Sequence, residues 1–170
     1  MNRARCLALL LSFSVAGAVL GCGGEGDRAG GSAAQPEPIA DHECGACGMI
    51  VREQPSPRGQ VVHHDGTHVW LCSLADLVAY SSAPSPHGRV EERWVETLAV
   101  DVDPAADDVA QRPWARVTDA HFVLGVERDS VMGTAVLAFA SDADAAAAAS
   151  RLQGRAVPWA EVARALGGAP

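Results

Sequence analysis

Asp65-Gly66 stands between two short β-type runs, 60–64 and 67–71, and constrains the fold more than any other pair in the chain. Asp-Gly at a two-residue turn signals a hairpin, because both central positions of such a turn need positive φ. An antiparallel sheet therefore begins here. Ser73-Leu-Ala-Asp76 follows as a capping-box-like start, with Asp in place of the commoner Glu, and opens a helix to about Tyr80. Leu74, Leu77 and Val78 share its apolar face. A Pro/Ser/His/Gly loop covers 81–88. An extended run spans 94–102, and an acidic, Pro-bounded loop leads to Pro113.

The second half repeats this plan. Strands are predicted over 121–126 and 134–139, joined by a turn around 129–133. A helix runs over 142–152 with Ser141 as N-cap and Gly154 closing it, followed by a short strand at 155–159 and a terminal helix over 160–166. The expectation is an α+β domain of two tandem β-β-α-β units with pseudo-symmetry, resting on element order rather than on identity between the halves.

The N-terminal part is read differently. Arg3 and Arg5 precede an apolar run from Leu7 to Leu20, too short for a membrane span and suited to a secretory signal. It ends in Val19-Leu20-Gly21-Cys22, which resembles the lipobox of bacterial lipoproteins and makes Cys22 the expected lipidated residue. The expected partition is a signal peptide over 1–21, a flexible Gly/Ala/Pro-rich tether over 22–41, and a single domain over 42–170. The expected location is the periplasm, with Cys22 anchored in a membrane, the outer membrane first.

All 13 basic residues are arginine and two precede Cys22, leaving 11 against 21 acidic residues, a net charge of −10. So acidic a body argues against nucleic acid and against anionic lipid as partners. With Cys22 lipidated and Cys6 inside the signal, Cys44, Cys47 and Cys72 remain. Three thiols cannot all pair with one another, so at least one is free, metal-bound or intermolecular. Two methionines survive maturation, Met49 in Cys44-Gly-Ala-Cys47-Gly-Met49 and Met132 in Val131-Met132-Gly133. Thioether and thiolate are soft donors that suit Cu(I). In an extended segment Cys47 and Met49, alternating with Gly48, would face the same side.

Several motifs occur in order: Cys-Gly-Met-Ile-Val at 47–51, Val100-Asp101, Trp114 with Asp119-Ala120, Met132-Gly133 leading to Phe139, and Asp142-Ala143 heading a helix. Together they resemble the NosL family of nitrous oxide reductase accessory proteins. The resemblance implies an exported copper-binding lipoprotein of α+β fold. Its implied ligands for Cu(I) are Cys47, Met49 and Met132, with Cys44 a further candidate. Its implied partners are the copper ion, nitrous oxide reductase and that enzyme's copper-assembly proteins. The implied role is a metallochaperone or assembly factor, not an enzyme.

Cys44-x-x-Cys47 keeps other readings open. The spacing suits a thiol-disulfide oxidoreductase, although Gly48, Pro55 and Pro57 make a poor helix start behind it. It also suits a zinc-stabilised binding module, for which Cys72 and His42, His63, His64 or His68 can supply further ligands. A Cys44–Cys47 disulfide would gate copper by redox state. Cys72 is otherwise expected as a small buried hydrophobe, and the histidines as solvated or hydrogen-bonded surface groups. Trp70, Trp94, Trp114 and Trp159 are expected as core or interface anchors.

Overall fold

A computed structural model describes residues 34–103, 109–127 and 134–168 of the chain. These lie in one compact unit, 31–170. Among them are seven strands: β1 (Gly59–His63), β2 (His68–Leu71), β3 (Val90–Glu96), β4 (Trp114–Arg116), β5 (His121–Leu124), β6 (Val136–Phe139) and β7 (Arg155–Val157). Three helices accompany them: α1 (Leu74–Ser82), α2 (Asp142–Arg151) and α3 (Trp159–Ala165). The fold is α+β. One antiparallel sheet has the order β2-β1-β3-β4 and the other β6-β5-β7. The first sheet is built from β1, β2, β3 and β4 around α1, and the second from β5, β6 and β7 around α2, so the two halves differ by one strand. Met132 and the turn around it lie outside the described residues, as does Cys22.

The opening hairpin forms, with a different turn. Gly66 donates to the His63 carbonyl at 2.9 Å and His63 to the Thr67 carbonyl at 2.9 Å. Only Gly66 has positive φ, +86°. This is the three-residue loop with a left-handed glycine at its end, so Asp65 keeps ordinary backbone angles. Its carboxylate instead accepts the Thr67 N–H at 2.9 Å, and that bond is the first cause of its depressed pKa.

Both longer helices start as their sequences direct. Ser73 accepts from the Asp76 N–H and Ser141 from the Asp144 N–H, each at 3.1 Å. The end of α2 differs from expectation. Gln153 takes the left-handed position at φ 56°, and the Gly154 N–H closes on the Ala149 carbonyl at 2.9 Å. Gly154 is required for space: a Cβ there would come within 2.7 Å of Val123 Cγ1.

The main core lies between the sheets. Val61, Leu71 and Val95 of the first sheet pack with Leu74 and Leu77 of α1, Phe122, Leu124 and Ala138 of the second sheet, and Val162 of α3. Val123, Leu137 and Phe139 point the other way, onto Ala145, Ala148 and Ala149 of α2. Strands β5 and β6 are thus apolar on both faces, which explains their near-continuous hydrophobic sequence. Alanine at 145, 148 and 149 shares one helix face and lets α2 lie close to the sheet.

One charged pair sits inside. Arg58, beside β1, and Glu96, ending β3, are 1% and 0% exposed. Arg58 Nε and Nη2 donate to the two Glu96 carboxylate oxygens at 2.7 and 2.8 Å. Arg58 Nη1 bonds the carbonyls of Arg52, Gln54 and Val109, and Nη2 that of Ala110. The pair thereby ties segment 52–58 to segment 109–112. The segment read as tether is fixed in its last part. Glu37 and the Gln60 side chain exchange two hydrogen bonds, and Ile39 packs on the core.

Candidate metal centre

Cys44 and Cys47 lie in a closed loop, not in the expected extended strand. An isolated antiparallel bridge joins Glu43 and Ile50. Inside it the Cys44 N–H donates to the Met49 carbonyl at 2.7 Å and the Gly48 N–H to the Cys44 carbonyl at 2.8 Å. Gly48 turns the chain at φ +76°. The alternation argument for Cys47 and Met49 therefore fails, because a left-handed residue separates them. They lie instead on either side of a turn, and both are exposed, Met49 at 37%.

The loop docks on the end of β2. Gly45 N–H donates to the Trp70 carbonyl at 3.0 Å. A Cβ on Gly45 would overlap Val69 Cγ1 and press on the Tyr80 ring. Gly45→Ala is accordingly expected to cost about 1–3 kcal/mol through forced repacking. A thermal melt of the variant checks this, the expected outcome being a lowered midpoint. Val51, fully buried, holds the other side of the loop, and its N–H bonds the His42 carbonyl at 2.9 Å.

Docking the loop there sets it against the start of α1, and this assembles the cluster. Cys47 Sγ lies 3.7 Å from Cys72 Sγ. Cys44 Sγ accepts the Cys72 backbone N–H at 3.4 Å and lies 3.9 Å from Asp76 Oδ2. Donor atoms of Cys44, Cys47, Cys72 and Asp76 all fall within 4.8 Å of one another. Cys44 and Cys72 are buried, and Cys47 opens to solvent. All three thiols are free. Cys72 is buried as expected, yet it faces two other sulfurs, which its position 25 residues from Cys47 gave no local sign of.

Burial is the main cause that raises the thiol pKa of both Cys47 and Cys72. A hydrogen bond from the Met49 backbone pulls Cys47 the other way, while Cys44 and Cys47 push Cys72 further up. Desolvation thus favours the protonated form of Cys47 and of Cys72. A cation entering the cluster must displace these protons, so binding weakens in acid.

No histidine joins the cluster among the described residues. His63 is fully buried, unlike the surface placement expected, and bonds the Gly88 carbonyl at 3.0 Å and the Tyr80 hydroxyl at 3.1 Å. His64 is exposed beside Glu91, and His68 bonds the Gln60 side chain. His42 stacks on Trp70 with ring centroids 3.5 Å apart. No helix among the described residues is long and apolar enough to cross a membrane.

The family model described as NosL matches residues 36–166. The chain is 29% identical to the "Copper-binding lipoprotein NosL" of Stutzerimonas stutzeri, over 94% of this chain and 80% of that protein. Its fold is similar to the crystal structure of "the copper chaperone NosL from Shewanella denitrificans". The TM-score is 0.61 and the identity 26%, over 75% of this chain and 95% of that one.

Proposed function

The chain belongs to the NosL family, and from that premise we propose that it is an exported, lipid-anchored Cu(I) metallochaperone. Cys22 carries the lipid, the periplasm is its compartment, and nitrous oxide reductase with its copper-assembly proteins is its client. It performs no catalysis of its own. The names of its relatives, a copper-binding lipoprotein and a copper chaperone, support the cargo. The observation that carries the reading is that Cys47 and Met49, two positions apart on one hydrogen-bonded loop, are both exposed.

Thiolate and thioether together favour Cu(I) over the harder cations. Met132, contributed by the second half of the chain, completes a three-sulfur set with Cys47 and Met49. Low-coordinate sulfur ligation leaves room for a client's ligand to attack before the old ligand departs. An exposed port suits that exchange.

Anaerobic competition against a Cu(I)-specific chelator tests the ligand set. Met49→Leu and Met132→Leu are each expected to weaken Cu(I) by about 10- to 100-fold, and replacing the exposed Met49 should leave the thermal midpoint unchanged. Unchanged affinity in Met132→Leu would remove the second half from the site. The client is tested in cells: a strain making only the Met49→Leu/Met132→Leu double variant should accumulate copper-poor nitrous oxide reductase, and full copper loading there would discard that client.

A further inference from the structure

We propose that Cys44, Cys47, Cys72 and Asp76 form a four-coordinate site for a zinc-type divalent cation, sharing only Cys47 with the copper set. This inference stands on the cluster's own geometry and does not require the copper reading.

The spacing of the donors fits a tetrahedron. With Zn–S near 2.3 Å and Zn–O near 2.1 Å, sulfur–sulfur edges are about 3.8 Å and sulfur–oxygen edges about 3.6 Å. The Cys47–Cys72 separation is 3.7 Å and the Cys44–Asp76 separation 3.9 Å. These two pairs use all four residues. The remaining edges are at most 4.8 Å, so closing on one ion draws the donors together by no more than about 1 Å.

The donor types point the same way. A carboxylate is a hard ligand with little affinity for Cu(I), whereas zinc accepts thiolate and carboxylate together. Helix capping explains only part of Asp76. The cap itself uses the Asp76 N–H, which bonds Ser73 Oγ. The Asp76 carboxylate oxygen facing Cys44 accepts the Ser73 hydroxyl at 3.0 Å. Such a bond orients a ligating carboxylate.

The local architecture also fits. Two sulfurs come from a tight C-x-x-C-G loop in which Gly48 takes positive φ, and the Cys72 N–H bonds the Cys44 sulfur. The other two ligands flank the N-cap of α1, Cys72 just before Ser73 and Asp76 in the first turn. The β1–β2 hairpin connects these two pieces of chain. One ion would therefore cross-link the loop to the helix start. The positive end of the α1 dipole offsets part of the charge left by three thiolates, a carboxylate and a dication. Binding is a simple exchange: one M²⁺ enters, three thiol protons leave, and the product carries two net negative charges.

Co(II) serves as the spectroscopic probe, with the full chain kept reduced and anaerobic. One equivalent is expected to give intense tetrahedral d–d bands and sulfur-to-cobalt charge transfer for three thiolates. Cys72→Ser should lose about a third of the charge-transfer intensity and weaken Co(II) and Zn(II) about 100-fold. Asp76→Asn should keep that intensity, shift the d–d bands and weaken both ions about 10-fold. Met49→Leu should leave both affinities unchanged. One equivalent of Cu(I) should bleach the cobalt bands, because Cys47 serves both ions. Weak octahedral bands, or unchanged Zn(II) affinity in both Cys72→Ser and Asp76→Asn, would overturn the site. So would a loss of Co(II) affinity in Met49→Leu, which would place the ion in the copper set. Failure of Cu(I) to bind at all while Co(II) behaves as stated would count against the copper reading alone.

Discussion

Glu96→Ala is expected to destabilise the domain by about 3–5 kcal/mol, the range for breaking a buried ion pair from one side. For a domain of this size the melting midpoint should fall by roughly 10–15 °C. The reason lies in what is left behind. Arg58 is 1% exposed, and four backbone carbonyls would still hold its guanidinium after the Glu96 carboxylate is gone. The backbone N–H groups of Arg58 and Arg112 and the Ser56 hydroxyl would lose the same acceptor. Glu96→Leu combined with Arg58→Met should recover much of the loss, since a buried pair replaced on both sides by apolar groups is often near neutral. A thermal melt followed by tryptophan fluorescence separates the cases. A drop of under 1 kcal/mol in Glu96→Ala would mean that solvent reaches the pair. Segment 52–58 continues directly from the loop that carries Cys47 and Met49, so the same variant should also release metal faster.

The parts of the fold legible in the sequence are those set by neighbouring residues. Asp65-Gly66, Ser73 with Asp76, and Ser141 with Asp144 each act within a few positions, and each produces its turn or helix start. The apolar runs of β5 and β6 were equally plain, because strands buried on both faces need no polar positions. Elements set by distant partners were less visible. Strand β4 has three half-buried residues and forms because Trp114–Arg116 pairs with the end of β3. Arg58 and Glu96 look like ordinary surface charges until β1 and β3 align them.

The site divides along the same line. The Cys44–Cys47 spacing announced a loop able to hold a metal, but its conformation followed from Gly48 rather than from strand alternation. Cys72 became part of the cluster only because Gly45 is small enough for the loop to sit against Val69 and Tyr80. The sequence signals for it were the odd count of exported thiols, which demanded a partner or an ion for the third, and the need of a Cys-x-x-Cys zinc site for further ligands, for which Cys72 stood beside four histidines. Asp76 reads in the sequence as part of the helix cap, and a cap residue with a second use is invisible without the fold.

Cys47→Ala is expected to have the largest effect on metal binding, weakening Cu(I) by about 100- to 1,000-fold. The scale follows from structural sites, where four ligands share about 10–16 kcal/mol, or roughly 3–4 kcal/mol each. Cys47 should sit at the upper end. It is the one anionic donor in the Cys47–Met49–Met132 set, and its loss leaves Cu(I) with two neutral thioethers. Cys47 is also the exposed member of the thiol cluster, so a client reaching for the ion meets it first. The same exposure separates binding from folding. Truncating an exposed side chain should shift stability by no more than about 0.5 kcal/mol, and the metal-free melting curve should match that of the parent protein. Cys44→Ala provides the contrast: that thiol is buried and accepts the Cys72 N–H, so its loss should lower the metal-free melting midpoint while leaving the copper set intact. Chelator competition run on both variants decides the matter. Cu(I) affinity within threefold of the parent in Cys47→Ala, with a large loss in Cys44→Ala, would move the copper from the exposed loop face to the buried sulfurs.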